Sequence, residues 1–173
     1  MTGAMWYFAR TLALAGKGRL VDATAERATF IDAANSLPKT LELGNNNAGG
    51  LVAIARPYLD GRIALMRGNF AEAIRYLREA VAAEDALSYD EPPAWYLPSR
   101  EALGTALLRA GDLAGAEKTF REDLAHNPES GRSLFGLHAA LVAEGRGDEA
   151  AKVQARFERA WRAADVKLDA AAL

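Results

Sequence analysis

LGTALLRAGDLAGAEKTFREDLAHNP, residues 103–128, is the stretch of the chain in which a repeating plan is easiest to read. It predicts a helix over about Leu97 to Ala110, a turn at Gly111-Asp112, and a second helix over Leu113 to Ala125 that stops at Asn127-Pro128. Gly104 and Ala116 are small where two helices must approach closely, Leu107 and Phe120 fill the space between them, and Pro128 cannot continue a helix.

The same signature recurs outside this stretch. A glycine followed five residues later by an alanine occurs four times, as Gly18 with Ala23, Gly68 with Ala73, Gly111 with Ala116, and Gly145 with Ala150. Successive glycines lie 50, 43 and 34 residues apart, so the last two copies abut and the earlier ones are separated by insertions. A fixed period with insertions is the mark of stacked helix–turn–helix units. The expected fold is therefore all-α: a right-handed α-solenoid of about four antiparallel helix pairs, with no sheet. The other predicted helices span about Ala4 to Ala15, Leu20 to Ser36, Leu51 to Arg67, Phe70 to Ala86, Arg132 to Glu144, and Gly147 to Leu168. Pro57 implies that the third helix either starts near Arg56 or kinks there, whereas Pro98 suits a first helical turn. The last helix carries Ala150, Val153, Phe157, Ala160, Trp161, Ala164 and Leu168 on one face and reads as a long C-terminal capping helix.

Composition agrees with close-packed helices. Half of the 173 residues are apolar and 38 are alanine, the strongest helix former and a small one. Net charge is −2 and basic residues form no run, which argues against nucleic acid as a partner. Cysteine is absent, so disulfides, thiolate metal sites and cysteine nucleophiles are excluded. No basic residue precedes the first apolar stretch and Arg10 interrupts it, unlike a secretory signal, and no stretch approaches the length of a membrane span. A soluble chain is expected, in either a reducing or an oxidising compartment.

At these residues the chain resembles the tetratricopeptide repeat family, whose 34-residue unit combines a small residue in helix A, a glycine turn, an early alanine in helix B and a closing proline. Residues 97–130 carry the likeness through Leu103, Gly104, Leu107, Gly111, Ala116, Phe120 and Pro128, departing at Asp123 where alanine is usual. Residues 54–87 carry it through Gly61, Gly68, Phe70, Ala73, Leu77 and Ala80, with Asp85 in place of the closing proline. Residues 131–164 match at Gly145, Ala150 and Phe157, with His138 where a small residue is expected and Gln154 where a large apolar one is. Residues 4–37 keep Gly18, Ala23 and Phe30. The insertions are 38–53 and 88–96, and residues 1–173 read as a single domain that resembles the C-terminal part of longer bacterial tetratricopeptide-repeat proteins.

The resemblance implies a protein-interaction or scaffold module without catalysis. In that family one side of each helix A lines a concave groove that receives a peptide or partner helix. Here that groove would present Met5, Phe8, Tyr58, Arg62, Glu101, Thr105, Arg109, Arg132 and Phe135, with Tyr89 and Trp95 at one edge. The lysine and asparagine side chains with which some members clamp a carboxylate are missing, although Arg109 and Arg132 suit bidentate pairing with an acidic ligand. The alternatives are a structural or dimerising segment of a larger repeat protein, and a small-ligand binder that uses the aromatic and proline-rich insertion 88–96.

Met5, Trp6 and Phe8 crowd the first helix with apolar surface, which suggests a homodimer contact or an upstream repeat. No cofactor or metal is expected, since His126 and His138 lie 12 residues apart without a completing ligand set. Nor is an enzyme expected: no nucleophile–base–acid set and no glycine-rich phosphate loop in the right context occurs.

Overall fold

Regular structure in the computed structural model, which describes residues 1–38 and 40–168, is almost wholly helical. In chain order the helices are α1 (Thr2–Gly16), α2 (Leu20–Asn35), α3 (Ala48–Met66), α4 (Phe70–Asp85), α5 (Ser99–Ala110), α6 (Leu113–His126), α7 (Gly131–Ala143) and α8 (Gly147–Ala160). The exception to an all-helical reading is small. β1 (Glu42–Leu43) pairs antiparallel with β2 (Asn46–Asn47) around Gly44, within the first insertion, where no sheet was expected.

The four glycine turns are one structure written four times. Gly18, Gly68, Gly111 and Gly145 have φ of 72°, 77°, 83° and 75°, in the left-handed region that costs a side-chain-bearing residue energy. At each, the glycine amide donates to the carbonyl three residues back, as from Gly111 to Leu108 at 3.1 Å. The next amide reaches five residues back: Arg19 to Leu14, Asn69 to Ala64, Asp112 to Leu107 and Arg146 to Leu141, at 2.9 to 3.0 Å. These two bonds satisfy carbonyls that the end of a helix leaves without donors, the pattern of a Schellman cap. The residue that closes one helix then opens the next. The carbonyls of Arg19, Asn69, Asp112 and Arg146 accept from the amides of Ala23, Ala73, Ala116 and Ala150. All four alanines are buried, which accounts for both halves of the recurring glycine–alanine pattern.

Two compact units divide the chain at Ser99: Met1–Ser99 and Arg100–Leu173. Within the first, α1 packs on α2, α3 on α4, and both α1 and α2 on α3. Its core is aromatic. The rings of Phe30, Tyr58 and Trp95 lie 6.0, 6.0 and 5.4 Å from the ring of Phe8, which has no exposed surface. Gly61 lets α3 approach α4, since a Cβ there would stand 2.6 Å from Leu77.

α3 is one helix from Ala48 onward and runs through Pro57 rather than starting near it. Proline removes one helical hydrogen bond, and the residue that loses its donor, Ala53, lies on the exposed face, where the loss is least costly.

The second unit is built around Phe120. A Cβ at Gly104 of α5 would fall 2.7 Å from its ring and one at Gly136 of α7 would fall 2.3 Å away, so both glycines exist to admit it. Asp123, the departure from the repeat pattern, is buried and joins α6 to α7 by accepting from Ser133 Oγ at 2.5 Å and Asn127 Nδ2 at 3.0 Å.

α8 is shorter than the sequence implies. It ends at Ala160 rather than near Leu168, because Trp161 stacks back on Phe157 and its Nε1 donates to the Val166 carbonyl at 2.7 Å, turning the chain away from the helix axis.

Candidate functional site

The residues that the resemblance assigns to a groove divide between the two units and differ in exposure. In the first unit, Tyr58 and Trp95 are buried, their rings 6.1 Å apart, and Trp95 Nε1 donates to the Leu97 carbonyl at 2.6 Å. Both belong to the core of the unit and present almost no surface to a ligand. Phe8 is buried in the same cluster and presents no surface to a ligand. Met5 and Arg62 are half-buried.

Tyr89 is the member of this set that stands in the open: it is 80 % exposed, and its hydroxyl donates to Glu91 at 3.0 Å, which raises its pKa.

In the second unit, Thr105 is buried with its hydroxyl donated to the Glu101 carbonyl at 2.9 Å. Arg132 is held by the Glu101 carboxylate, so two predicted groove residues neutralise each other. Phe135 packs on Phe157 with ring centroids 5.4 Å apart, and Arg109 is exposed at the end of α5. The acidic-ligand expectation at Arg132 thus meets a carboxylate already in place.

A different groove opens in the first unit, over the exposed face of α3 where α2 and α4 flank it. It has a volume of about 340 Å³ and is lined by Arg27, Ala53, Arg56, Pro57, Asp60, Tyr76 and Glu79. Spacing along α3 explains the lining: Ala53, Arg56, Pro57 and Asp60 fall on one helical face, turned from the side on which Tyr58 enters the core. Arg27 grips Asp60 through two parallel bonds, Nε to Oδ1 at 2.5 Å and Nη2 to Oδ2 at 2.6 Å. Glu79 accepts from Arg75 Nη1 at 2.7 Å, and the Arg75 guanidinium lies 3.9 Å from the centre of the Tyr76 ring.

Arg56 differs from these. Its Nη2 donates to the Asn35 side-chain carbonyl at 2.5 Å, and no carboxylate among the described residues pairs with it. Sequence reading passed over this groove because its partners lie far apart in the chain, with Arg27 33 residues from Asp60.

In the second unit the most concentrated charge is a network at the α7–α8 turn, where Arg146 bonds to Glu117, Glu144 and Glu149 at 2.5, 2.9 and 2.7 Å. Arg121 adds bonds to Glu117 and Glu149. Chiefly through Arg121, and then Arg146, the Glu117 carboxyl is held below the usual glutamate range, while the Arg146 guanidinium is pushed up. Three carboxylates share two guanidiniums here, and the bonds brace α6 against the turn. Among the described residues no group of three or more histidine, aspartate or glutamate side chains is arranged to hold a metal ion, and no helix is long and apolar enough to cross a membrane.

Compared with protein-family models, curated proteins and solved structures, the chain matches none.

Proposed function

We propose that this chain is a non-catalytic protein-interaction module, its helices arranged as four antiparallel hairpins of a tetratricopeptide-like α-solenoid. The fourfold recurrence of one capped turn, each followed by a buried alanine, supports the hairpin reading. The observation that carries the function is the groove over α3, which sets arginine, proline and tyrosine side chains along an open helix face. Arginine and tyrosine are among the residue types enriched at interface hot spots, because each offers a large contact area together with a polar handle.

Selection of binders from an unbiased peptide library, followed by hydrogen-exchange mapping on the full chain, tests the reading. Protection centred on Ala53, Arg56 and Tyr76 is the expected result. Binders that protect other surfaces only would contradict it.

A second reading rests on Trp6, which is 54 % exposed on α1 with the Arg10 guanidinium 5.0 Å from its ring centre. An aromatic left this open on the outer face of the first helix suits a second copy of the chain or a further repeat. Light scattering of the wild type against Trp6→Glu checks the first of these: a dimer converted to a monomer supports self-association, and a wild-type monomer rejects it.

A further inference from the structure

We propose that the occupant of the α3 groove is an acidic segment of a partner protein, which places an aspartate or glutamate carboxylate on Arg56 and a backbone N–H on the Ala53 carbonyl. This rests on reading the groove as a docking surface. Two observations of different kinds point to the same ligand.

The first is the charge balance. Three guanidiniums, Arg27, Arg56 and Arg75, stand in and beside the groove against two carboxylates, Asp60 and Glu79. Arg27 and Asp60 are matched by two parallel bonds, and Arg75 answers Glu79, so the remaining positive charge resides on Arg56. The Asn35 amide orients its guanidinium without neutralising it. A guanidinium presents a planar fork of donors that fits a carboxylate through two parallel bonds, and an arginine already aimed loses little freedom in doing so.

The second observation is in the backbone. Pro57 has no N–H, so the Ala53 carbonyl four residues earlier lacks the donor that a helix normally supplies. Ala53 and Pro57 both line the groove, beside Arg56. A cationic fork and a backbone acceptor on the same open helix face match a peptide, which carries a carboxylate side chain and an N–H donor close together. A free sulfate or chloride would satisfy the fork but bring no donor to the carbonyl.

The experiment is an array of short peptides in which each sequence containing Asp or Glu is paired with its Asn or Gln counterpart, read against the full chain. Acidic members should bind roughly tenfold more tightly than their amide counterparts, as expected for charge-assisted hydrogen bonds. Arg56→Gln should abolish that preference, and Arg56→Lys should retain part of it. On the wild type, which avoids any question of folding in the variants, raising the salt concentration about tenfold should weaken the acidic members selectively. Peptides that protect the groove from hydrogen exchange but bind equally well in acidic and amide forms would overturn the acidic ligand and leave the docking surface standing. Acidic peptides that protect another surface, or that do not bind, would overturn the proposal.

Discussion

Gly111 and Gly136 are glycines for unrelated reasons, and the difference is measurable. A Cβ on Gly111 meets nothing within 4 Å, so its identity follows from a φ of 83° alone. A Cβ on Gly136 would fall 2.3 Å from Phe120, so its identity follows from packing. Gly111→Ala should therefore cost about 1–2 kcal/mol, the penalty of a left-handed backbone. Shaving Phe120 to leucine in the same chain should not relieve it. Gly136→Ala should cost about 1–3 kcal/mol through overpacking, and Phe120→Leu should recover part of that loss. Urea denaturation of the three single variants and the two double variants closes both cycles, with the cost of Phe120→Leu alone subtracted from each. Equal behaviour of the two glycines towards the Phe120 change would contradict the assignment. The turn glycines were legible in the sequence because they recur at one offset from an alanine. Gly136 was not, since the expected small position in that unit fell on His138, and only packing against α6 reveals where the close approach occurs.

At the scale of elements, the two insertions that disturb the repeat spacing turn out to hold each other. Asn46 of β2 pairs with the Ser88 backbone through both ends of its amide, accepting from the Ser88 N–H at 2.8 Å and donating to its carbonyl at 2.9 Å. Asn45 adds a bond from Nδ2 to the Tyr89 carbonyl at 2.9 Å and one from its own amide to Asp90 at 3.0 Å. Gly44 is required beneath them, because a Cβ there would lie 2.0 Å from the Asp90 carboxylate. This pairing anchors the segment that delivers Trp95 into the aromatic core.

Periodicity located both insertions as breaks but carried no sign of their contact, and Tyr58 was accordingly placed in a groove that Trp95 closes. Asn46→Ala should lower stability by about 1–3 kcal/mol. In a chain with Trp6 and Trp161 replaced by phenylalanine, it should also red-shift Trp95 emission at urea concentrations below the main transition. Emission that changes only with global unfolding would show that the loops do not anchor Trp95.

The Glu117–Arg121–Arg146 network makes its own prediction at this scale. Because the folded-state pKa of Glu117 lies below its unfolded value, its contribution to stability is present above about pH 4.5 and is lost as pH falls through the depressed value. The wild type should have a higher urea midpoint than Glu117→Gln at pH 7, and the gap should begin to narrow below about pH 4.5 and close as the pH falls through the depressed value. A gap that stays constant down to pH 3 would place the stabilisation elsewhere.

For the molecule as a whole, sequence periodicity was a strong guide to the helices and a weak one to the surface. Every helix falls within a few residues of its expected bounds, with two exceptions: α8 ends early, where Trp161 bonds to the Val166 carbonyl, and α3 begins at Ala48 behind its Asn47 cap and passes through Pro57. Helix period and turn chemistry are local and repeat, so they accumulate over a chain of this length. The surface depends on which side chains find partners across helices, and pairs such as Arg27 with Asp60 or Arg132 with Glu101 leave no local trace.

One capped turn, built four times, organises the helices. Residue-resolved amide hydrogen exchange tests this most directly, because the amides of Arg19, Asn69, Asp112 and Arg146 lie in turns yet donate across five residues to a helix carbonyl. These four amides should all be protected relative to an unstructured peptide, as should the glycine amide before each. Exchange at the unstructured rate at two or more of the four would contradict the account.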